Sequence, residues 1–181
     1  MWSRVLEIRV LPYQLYGGLS LIGKAAVLNF NIIIQKGNMG NNTQIKGAIT
    51  EQKCFLKCLE MGYQVSKPLF DNARYDFILD IGEKLFKVQV KTSHWKDEEH
   101  TAFIFNCYSQ HSTGNGNKVM KYTNKEIDFF MTEQDGIFYL YPAPREGLKE
   151  KTLRVCPTKS GQTKGISFAK DYIFEEVIKN Y

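Results

Sequence analysis

The segment of residues 71–93 constrains the fold of this 181-residue chain most strongly, because its pattern predicts a β-hairpin. Residues 76–81 are mostly apolar and form the first strand. Gly82 and Glu83 supply the turn, and residues 85–91 form the return strand. We therefore expect the rest of the chain to be organised around this hairpin.

Polar side chains of the hairpin are expected to converge at one end. Successive side chains of a strand point to opposite faces, so Gln89 and Lys91 share a face that also includes Ser93. Asp76, at the start of the first strand, is close enough to approach Gln89 and Lys91. A carboxylate, a neutral oxygen donor and an ammonium suit a Mg²⁺-type ion beside a lysine that steadies an attacking hydroxide. A half-exposed strand of no catalytic role shows the same alternation, so the pattern alone leaves both interpretations open.

The order of four residues along the chain resembles the PD-(D/E)xK nuclease superfamily. In that superfamily a helix Glu, a strand Asp and an acid-x-Lys pair form the metal site, and Glu51, Asp76, Gln89 and Lys91 stand in that order here. Gln89 replaces the usual acid, which resembles the small homing endonucleases of this superfamily encoded in group I introns. The resemblance covers residues 39–181, and four later segments are similar to later strands of that family: residues 126–130, 136–142, 153–157 and 164–166.

This resemblance implies an α/β fold, with a mixed central sheet of about five strands flanked by helices. It implies an endonuclease that uses Mg²⁺ or Mn²⁺ to make a double-strand break at a long site in double-stranded DNA. Asp76 and the Val90 carbonyl would bind the metal, and Glu51 would contribute directly or through water. Lys91 would orient and activate the attacking water. Gln89, in the acid position, would leave the site with one fewer negative charge.

Three alternatives stay open. A Holliday junction resolvase shares the fold and the metal site but recognises branched DNA, and a restriction endonuclease would cut a short site. A catalytically inactive DNA-binding module belongs to a different class, and the missing acid at Gln89 favours it. Cleavage assays on duplex and four-way-junction DNA, with Mg²⁺ or chelator, separate these functions.

Charge gives a weaker indication of nucleic-acid binding than the motif does. The formal net charge is +5, and residues 145–170 carry seven basic and two acidic side chains. This local excess of positive charge is a candidate phosphate-facing surface. Such a run of charged residues more often marks an ordinary solvent-exposed face. Residues 110–123 are predicted to form a long polar loop with two lysines. The candidate DNA contacts are Ser93, Lys118, Lys121, Arg154, Lys159 and Lys164.

The length of the chain predicts one domain. Residues 1–38 carry a net charge of +3 and show no helical or strand periodicity, so we expect them to lie outside an endonuclease domain of residues 39–181. The longest uncharged run in this extension is too short to span a bilayer. The shortness of that run predicts no membrane partner. The four cysteines lack a CxxC pair, which predicts free thiols in a reducing cytoplasm.

The helix that carries Glu51 is predicted to begin near Thr43 and to stop at Gly62. Its apolar arc, expected to face the core, consists of Ile45, Ala48, Ile49, Gln52, Phe55, Leu56 and Leu59. Glu51 lies about 100° from the centre of that arc, at its border. A second helix is predicted over residues 168–179. We also expect a homo-oligomer, a dimer or a dimer of dimers, because one catalytic centre cuts one strand.

Overall fold

The computed structural model describes residues 43–70, 72–114 and 116–181, and the predicted extension of residues 1–38 lies outside them. The elements in chain order are α1 (Thr43–Glu60), β1 (Gln64–Ser66), β2 (Phe77–Asp80), β3 (Leu85–Val90), β4 (Ser93–Trp95), β5 (Ala102–Asn106), β6 (Tyr108–Thr113), β7 (Gly116–Lys121), β8 (Phe129–Gln134), β9 (Ile137–Pro142), β10 (Glu150–Arg154) and α2 (Phe174–Val177). Two 3₁₀ turns, Ala169–Tyr172 and Ile178–Asn180, flank α2.

The predicted hairpin forms: β3 begins at Leu85 as expected, and the other three strand boundaries lie one residue inside those expected. Phe77 pairs with Val88 at the open end of β2 and β3, and Asp80 pairs with Leu85 at the turn. Gly82 adopts a positive φ of 77° in this turn, and its N–H donates to Asp80 Oδ1 at 2.9 Å. Glycine suits this position because it has no side chain to clash in the left-handed region.

The central sheet has five strands in the order β1-β2-β3-β8-β9. Neighbouring strands run antiparallel except for β3 and β8, which pair in parallel from Val88 with Phe129 to Val90 with Met131. The predicted α/β fold with a mixed five-stranded sheet is therefore confirmed. The parallel pair sets the C-terminal end of β3, where the predicted site residues lie, beside the middle of β8.

Each face of the central sheet is covered by a different layer. On one face, the helix α1 buries Cys54 and Cys58 against Phe77, Val88 and Met131. The other face packs against a three-stranded sheet of order β10-β5-β4. Its cluster of buried side chains contains Phe103, Phe105, Phe130, Tyr139 and Leu153. Period-two alternation along β8, with Met131 towards the helix and Phe130 towards the second sheet, explains why β8 begins with three consecutive apolar residues.

The predicted orientation of α1 is wrong. The helix buries Thr50, Cys54 and Cys58, and Phe55 is half-buried. The other members of the predicted inward arc are exposed: Ile45, Ala48, Ile49, Gln52, Leu56 and Leu59. Small side chains on the buried face allow the helix to lie close to the sheet, and the Thr50 hydroxyl satisfies its hydrogen bond on Lys46 O at 2.9 Å. An outward apolar row is thus left at the surface.

The predicted polar loop at residues 110–123 is also wrong, because most of it belongs to an antiparallel ribbon formed by β6 and β7. Six residue pairs join the two strands, from Tyr108 with Lys121 to Thr113 with Gly116. Most described side chains of β7 are exposed. Since neither face of β7 is packed, its sequence lacks the apolar alternation by which strands are recognised.

The predicted C-terminal helix over residues 168–179 forms only as short helical turns. Ile173 interrupts it, because this residue makes an antiparallel bridge with Tyr139 of β9. All four cysteines are free thiols, as predicted. Within residues 43–70, 72–114 and 116–181, no helix combines the length and the apolar character needed to cross a membrane.

Candidate active site

The site lies where β2 begins and β3 ends. Asp76 immediately precedes β2, and its backbone N–H donates to Val88 O at 2.9 Å, which extends the ladder by one residue. Lys91 immediately follows β3, and its N–H donates to Met131 O at 2.9 Å across the parallel pair. The backbone therefore fixes both residues at the same end of the hairpin.

The carboxylate of Asp76 is held by two short hydrogen bonds. Its Oδ2 accepts from Gln89 Nε2 at 2.6 Å and from the backbone N–H of Val90 at 2.6 Å. Gln89 is only 7% exposed, an unusual degree of burial for a primary amide. The predicted convergence of Asp76 on Gln89 is therefore present, with the amide as donor and the carboxylate as acceptor.

Electrostatics around Asp76 favour the approach of positive charge. Burial, the largest cause, raises the pKa of this carboxyl above its ordinary value, and the nearby charge of Glu51 raises it further. The hydrogen bond from Val90 N–H and the charge of Lys91 act in the opposite direction, but the net shift of the pKa is upwards. A cation beside Asp76 would relieve this cost of ionisation.

Glu51 reaches the same cleft from α1. A cavity of about 250 Å³ is lined by Glu51, Asp76, Gln89, Val90 and Lys91, together with Gly47 and Thr92. This part of the helix rests on the loop after β3, where Thr92 Oγ1 lies 3.4 Å from Thr50 Oγ1. The structure thus brings all five predicted catalytic and metal-binding residues to one cleft.

A lysine that the sequence did not single out engages Glu51. Lys67 Nζ lies 2.7 Å from Glu51 Oε1, and both residues line a second cleft of about 300 Å³ that also reaches Asp76. Glu51 is therefore ion-paired with a lysine in a cleft that it shares with Asp76. Sixteen residues separate the two partners, too far apart for a local pattern to indicate the pair.

Lys91 is directed at the base of the β6–β7 ribbon. Its Nζ donates to Tyr108 O at 3.0 Å and lies 4.8 Å from the centre of the Tyr122 ring. Burial, the largest cause, lowers the pKa of this ammonium, and the positive charge of Arg74 lowers it further. A buried ammonium with a lowered pKa gives up a proton more readily than an ordinary lysine.

Arg74 joins the hairpin to the ribbon. Its guanidinium donates to Glu126 Oε1 at 2.9 Å, to Ser109 Oγ at 2.5 Å and to the Lys121 carbonyl at 3.2 Å. The same group stacks on the Tyr122 ring at 3.9 Å. Arg74 is two residues from Asp76, but its partners are 35 to 52 residues away, so the sequence reveals its position and not its contacts.

The oxygen atoms at the site fit a hard divalent cation. Gln89 Nε2 lies between Asp76 Oδ2 and the Val90 carbonyl oxygen, at 2.6 and 3.2 Å, so two acceptors face one donor. Carboxylate, backbone carbonyl and amide oxygens are the ligands that Mg²⁺ and Mn²⁺ prefer. Across the described residues no three His, Cys, Asp or Glu side chains gather in one place. The amide of Gln89 accounts for this, since it stands where a third acid would.

The six candidate DNA contacts fall in three places. Lys118 and Lys121 are exposed on β7, the second strand of the ribbon. Ser93 is engaged within the protein, because its hydroxyl donates to Glu133 O at 2.7 Å. The other three belong to the region of the second sheet: Arg154 donates to Cys156 O, Lys159 pairs with Glu99 at 3.3 Å, and Lys164 is exposed.

Comparison with known proteins gives the class. A family model described as PD-(D/E)XK endonuclease matches residues 41–175, a range that contains Glu51, Asp76, Gln89 and Lys91. The chain therefore belongs to the PD-(D/E)XK endonuclease family. Nucleases of this family generally use divalent metal ions.

Among solved structures, the chain is similar to a bacterial homing endonuclease, I-Ssp6803I. The TM-score is 0.62 at 22% sequence identity, and the alignment covers 76% of this chain and 93% of that one. This likeness shows that the two proteins share a fold. No curated protein matches the sequence.

Proposed function

We propose that this protein is a site-specific DNA endonuclease of the intron-homing type, which makes a metal-dependent double-strand break at a long target. The observation that carries the proposal is the pair of hydrogen bonds that holds Asp76 against Gln89 and Val90, in the same cleft as Glu51 and Lys91. Membership of the PD-(D/E)XK family and the shared fold with a homing endonuclease support it.

Different residues of the chain would bind the metal ion and orient the attacking water. A bound Mg²⁺ or Mn²⁺ ion would supply a Lewis acid that polarises the phosphate and lowers the pKa of a bound water. Asp76 and the Val90 carbonyl would hold that ion, and the amide of Gln89 would turn to present its oxygen. Glu51 would leave Lys67 and bind directly or through water.

Lys91 would orient the attacking water and stabilise the negative charge that develops on the phosphate. Its hydrogen bond to Tyr108 O holds the ammonium in a buried position, where a charge acts more strongly than in water. The lowered pKa also makes Lys91 a readier proton donor to the reacting oxygen than a solvated lysine.

The ribbon offers a surface for the DNA. Two-stranded β-ribbons fit the major groove, and the exposed Lys118 and Lys121 can contact phosphates there. We further propose that the protein acts in the cytoplasm as a homo-oligomer, because two centres are needed to cut two strands. The four free thiols agree with a reducing compartment.

A second candidate function is a DNA-binding module without catalysis. The observation that favours it is Gln89 itself, which lowers the negative charge available to a cation. Such a module would bind duplex DNA through the same ribbon and leave it intact.

The test uses purified protein with long duplex DNA and with four-way junctions, each with Mg²⁺ or with a chelator. We expect cleavage of the duplex at a small number of positions, only with Mg²⁺. Cleavage confined to the junction would indicate a resolvase, and frequent cutting would indicate a restriction-type enzyme. Duplex binding without cleavage, in Mg²⁺ and in Mn²⁺, would favour the inactive module.

A further inference from the structure

An apolar row runs along the outer side of α1 and is uncovered in the described chain. We call it the α1 stripe, and it consists of Ile45, Ala48, Ile49, Gln52, Leu56 and Leu59. Ile49 and Leu56 are 48% and 50% exposed. Apart from the adjacent Ala48 and Ile49, successive members of the stripe are three or four residues apart, which places the row on one side of the helix. A contiguous apolar row of this kind commonly marks a protein contact.

We propose that the α1 stripe binds the same stripe on a second copy of this chain, with the two helices antiparallel about a two-fold axis at Gln52. This inference deepens the two-copy cleavage proposed above and rests on that function for its biological purpose. The apolar surface of α1 is present whether or not the protein cleaves DNA.

The stripe is self-complementary about Gln52. Ile45 and Leu59 lie seven residues on either side of Gln52, and Ala48 and Leu56 lie four residues on either side. In a two-fold antiparallel pair, each residue meets the one at the same distance on the other side. Ala48 would therefore face Leu56 of the partner subunit, and a small side chain opposite a large one allows two helices to interdigitate. Ile49, next to Ala48, would pack beside the same Leu56 of the partner subunit, because the two positions lie on the same side of the stripe.

Charge and polarity favour the antiparallel arrangement over the parallel one. Lys46 lies near the start of α1 and Glu60 at its end. Antiparallel pairing brings Lys46 towards Glu60 of the partner subunit, whereas parallel pairing would bring lysine towards lysine. The helix dipoles also favour antiparallel pairing, because they then point in opposite directions. Gln52 would meet its own copy on the axis, where two amides can hydrogen-bond and fix the register.

The axis lies beside the active centre. Glu51, which lines the catalytic cleft, is the neighbour of Gln52 in the sequence. Phe70, 68% exposed, lines a cleft with Glu51 and adds apolar surface beside the helix. An α1 helix of 18 residues is about 27 Å long, enough for the centre of an interface. Two active centres would then flank one axis, as the cutting of two strands requires.

The first test is sedimentation equilibrium of the full chain without DNA, comparing Ile49→Lys with Ile137→Lys. The two isoleucines are matched in exposure, at 48% and 47%, but Ile137 lies on β9 and outside the stripe. We expect a wild-type dimer that Ile49→Lys weakens at least about a hundredfold, because each dimer loses two buried isoleucines. Ile137→Lys should leave the dissociation constant unchanged. Circular dichroism checks that both variants fold.

The second test places a thiol on the axis. Gln52→Cys should form an intermolecular disulfide on mild oxidation, because the two copies of this position face each other. Ile137→Cys is the matched control and should not.

A wild-type chain that stays monomeric would overturn the proposal, as would a dimer unaffected by Ile49→Lys. A monomer in which residues 1–42 cover the stripe counts among these failures. Neither readout depends on cleavage, so an inactive protein that dimerises through α1 would refute the proposed function alone.

Discussion

The β2–β3 hairpin and the β6–β7 ribbon are both antiparallel two-stranded units, yet they differ in what surrounds them. β2 and β3 lie between β1 and β8 and bury Gln89 and Val90. The ribbon forms a separate two-stranded sheet with exposed lysines. Burial raises the pKa of Asp76 and lowers the pKa of Lys91, shifts that are common at active sites. Exposure leaves the ribbon lysines available to phosphates. Substitutions in the two hairpins should therefore affect cleavage and binding separately.

The largest effect is expected from Asp76→Asn. This change keeps the size of the side chain but removes the charge that would hold the metal ion. We expect cleavage to fall by roughly 10³-fold or more in Mg²⁺, while duplex affinity stays within a few-fold. Cleavage rates and isothermal titration with Mn²⁺ measure the two properties. Full turnover by this variant would place the site elsewhere.

Lys91→Ala should follow, with cleavage slower by a factor of roughly 10² to 10⁴. The variant loses the ammonium that orients water, and the Tyr108 carbonyl loses its donor. Because Lys91 is buried, we expect binding to long duplex DNA to change little. Single-turnover kinetics at saturating protein separate the two steps. Lys84→Ala, at the exposed turn of the same hairpin, is the matched control and should cleave normally.

Gln89→Glu should alter metal dependence more than the maximal rate. In the metal-free protein, the new carboxylate would replace an amide donor 2.6 Å from Asp76 Oδ2 and repel it. A divalent ion would relieve that repulsion, so we expect tighter metal binding and a larger rise in melting temperature on addition of Mg²⁺. Gln134→Glu, on β8, controls for the added charge. Identical metal titrations of wild type and Gln89→Glu would show that this side chain is not at the ion.

The smallest effect is expected from the ribbon. Lys118→Ala and Lys121→Ala should each weaken duplex binding across all sequences and lower the salt dependence of binding by about one ion per lysine. The single-turnover rate at saturating protein should remain unchanged. Fluorescence anisotropy over a range of salt concentrations provides the measurement, again with Lys84→Ala as control. If Lys84→Ala has the larger effect, the DNA lies on the other hairpin.

Local pattern explains which parts of the fold were predictable. The β2–β3 hairpin follows from a short-range signal, its Gly turn, and α1 begins at Thr43, where the sequence predicts its start. Apolar periodicity predicts the wrong face of α1, because it shows where an apolar row lies and not what covers it. The ribbon was missed because it lacks a buried face.

At the site, the sequence predicted the residues but not all of their partners. The family pattern brought Glu51, Asp76 and Gln89 together, and the structure places them in one cleft. The pairing of Glu51 with Lys67 and the stacking of Arg74 on Tyr122 depend on packing between distant segments. No spacing along the chain encodes such contacts.

The parallel pairing of β3 with β8 has a consequence for biosynthesis. Lys91 takes its backbone partner from Met131 and its side-chain partner from Tyr108, so the end of the hairpin that carries Asp76 and Lys91 is completed by segments synthesised well after it. Non-local pairings of this kind form late in folding, after the loop between them has closed. A ribosome-bound chain that ends before β8 would carry Asp76 and Gln89 but leave the edge of β3 open. We therefore expect nuclease competence to arise only once most of the domain has emerged, which keeps incomplete chains from cutting DNA.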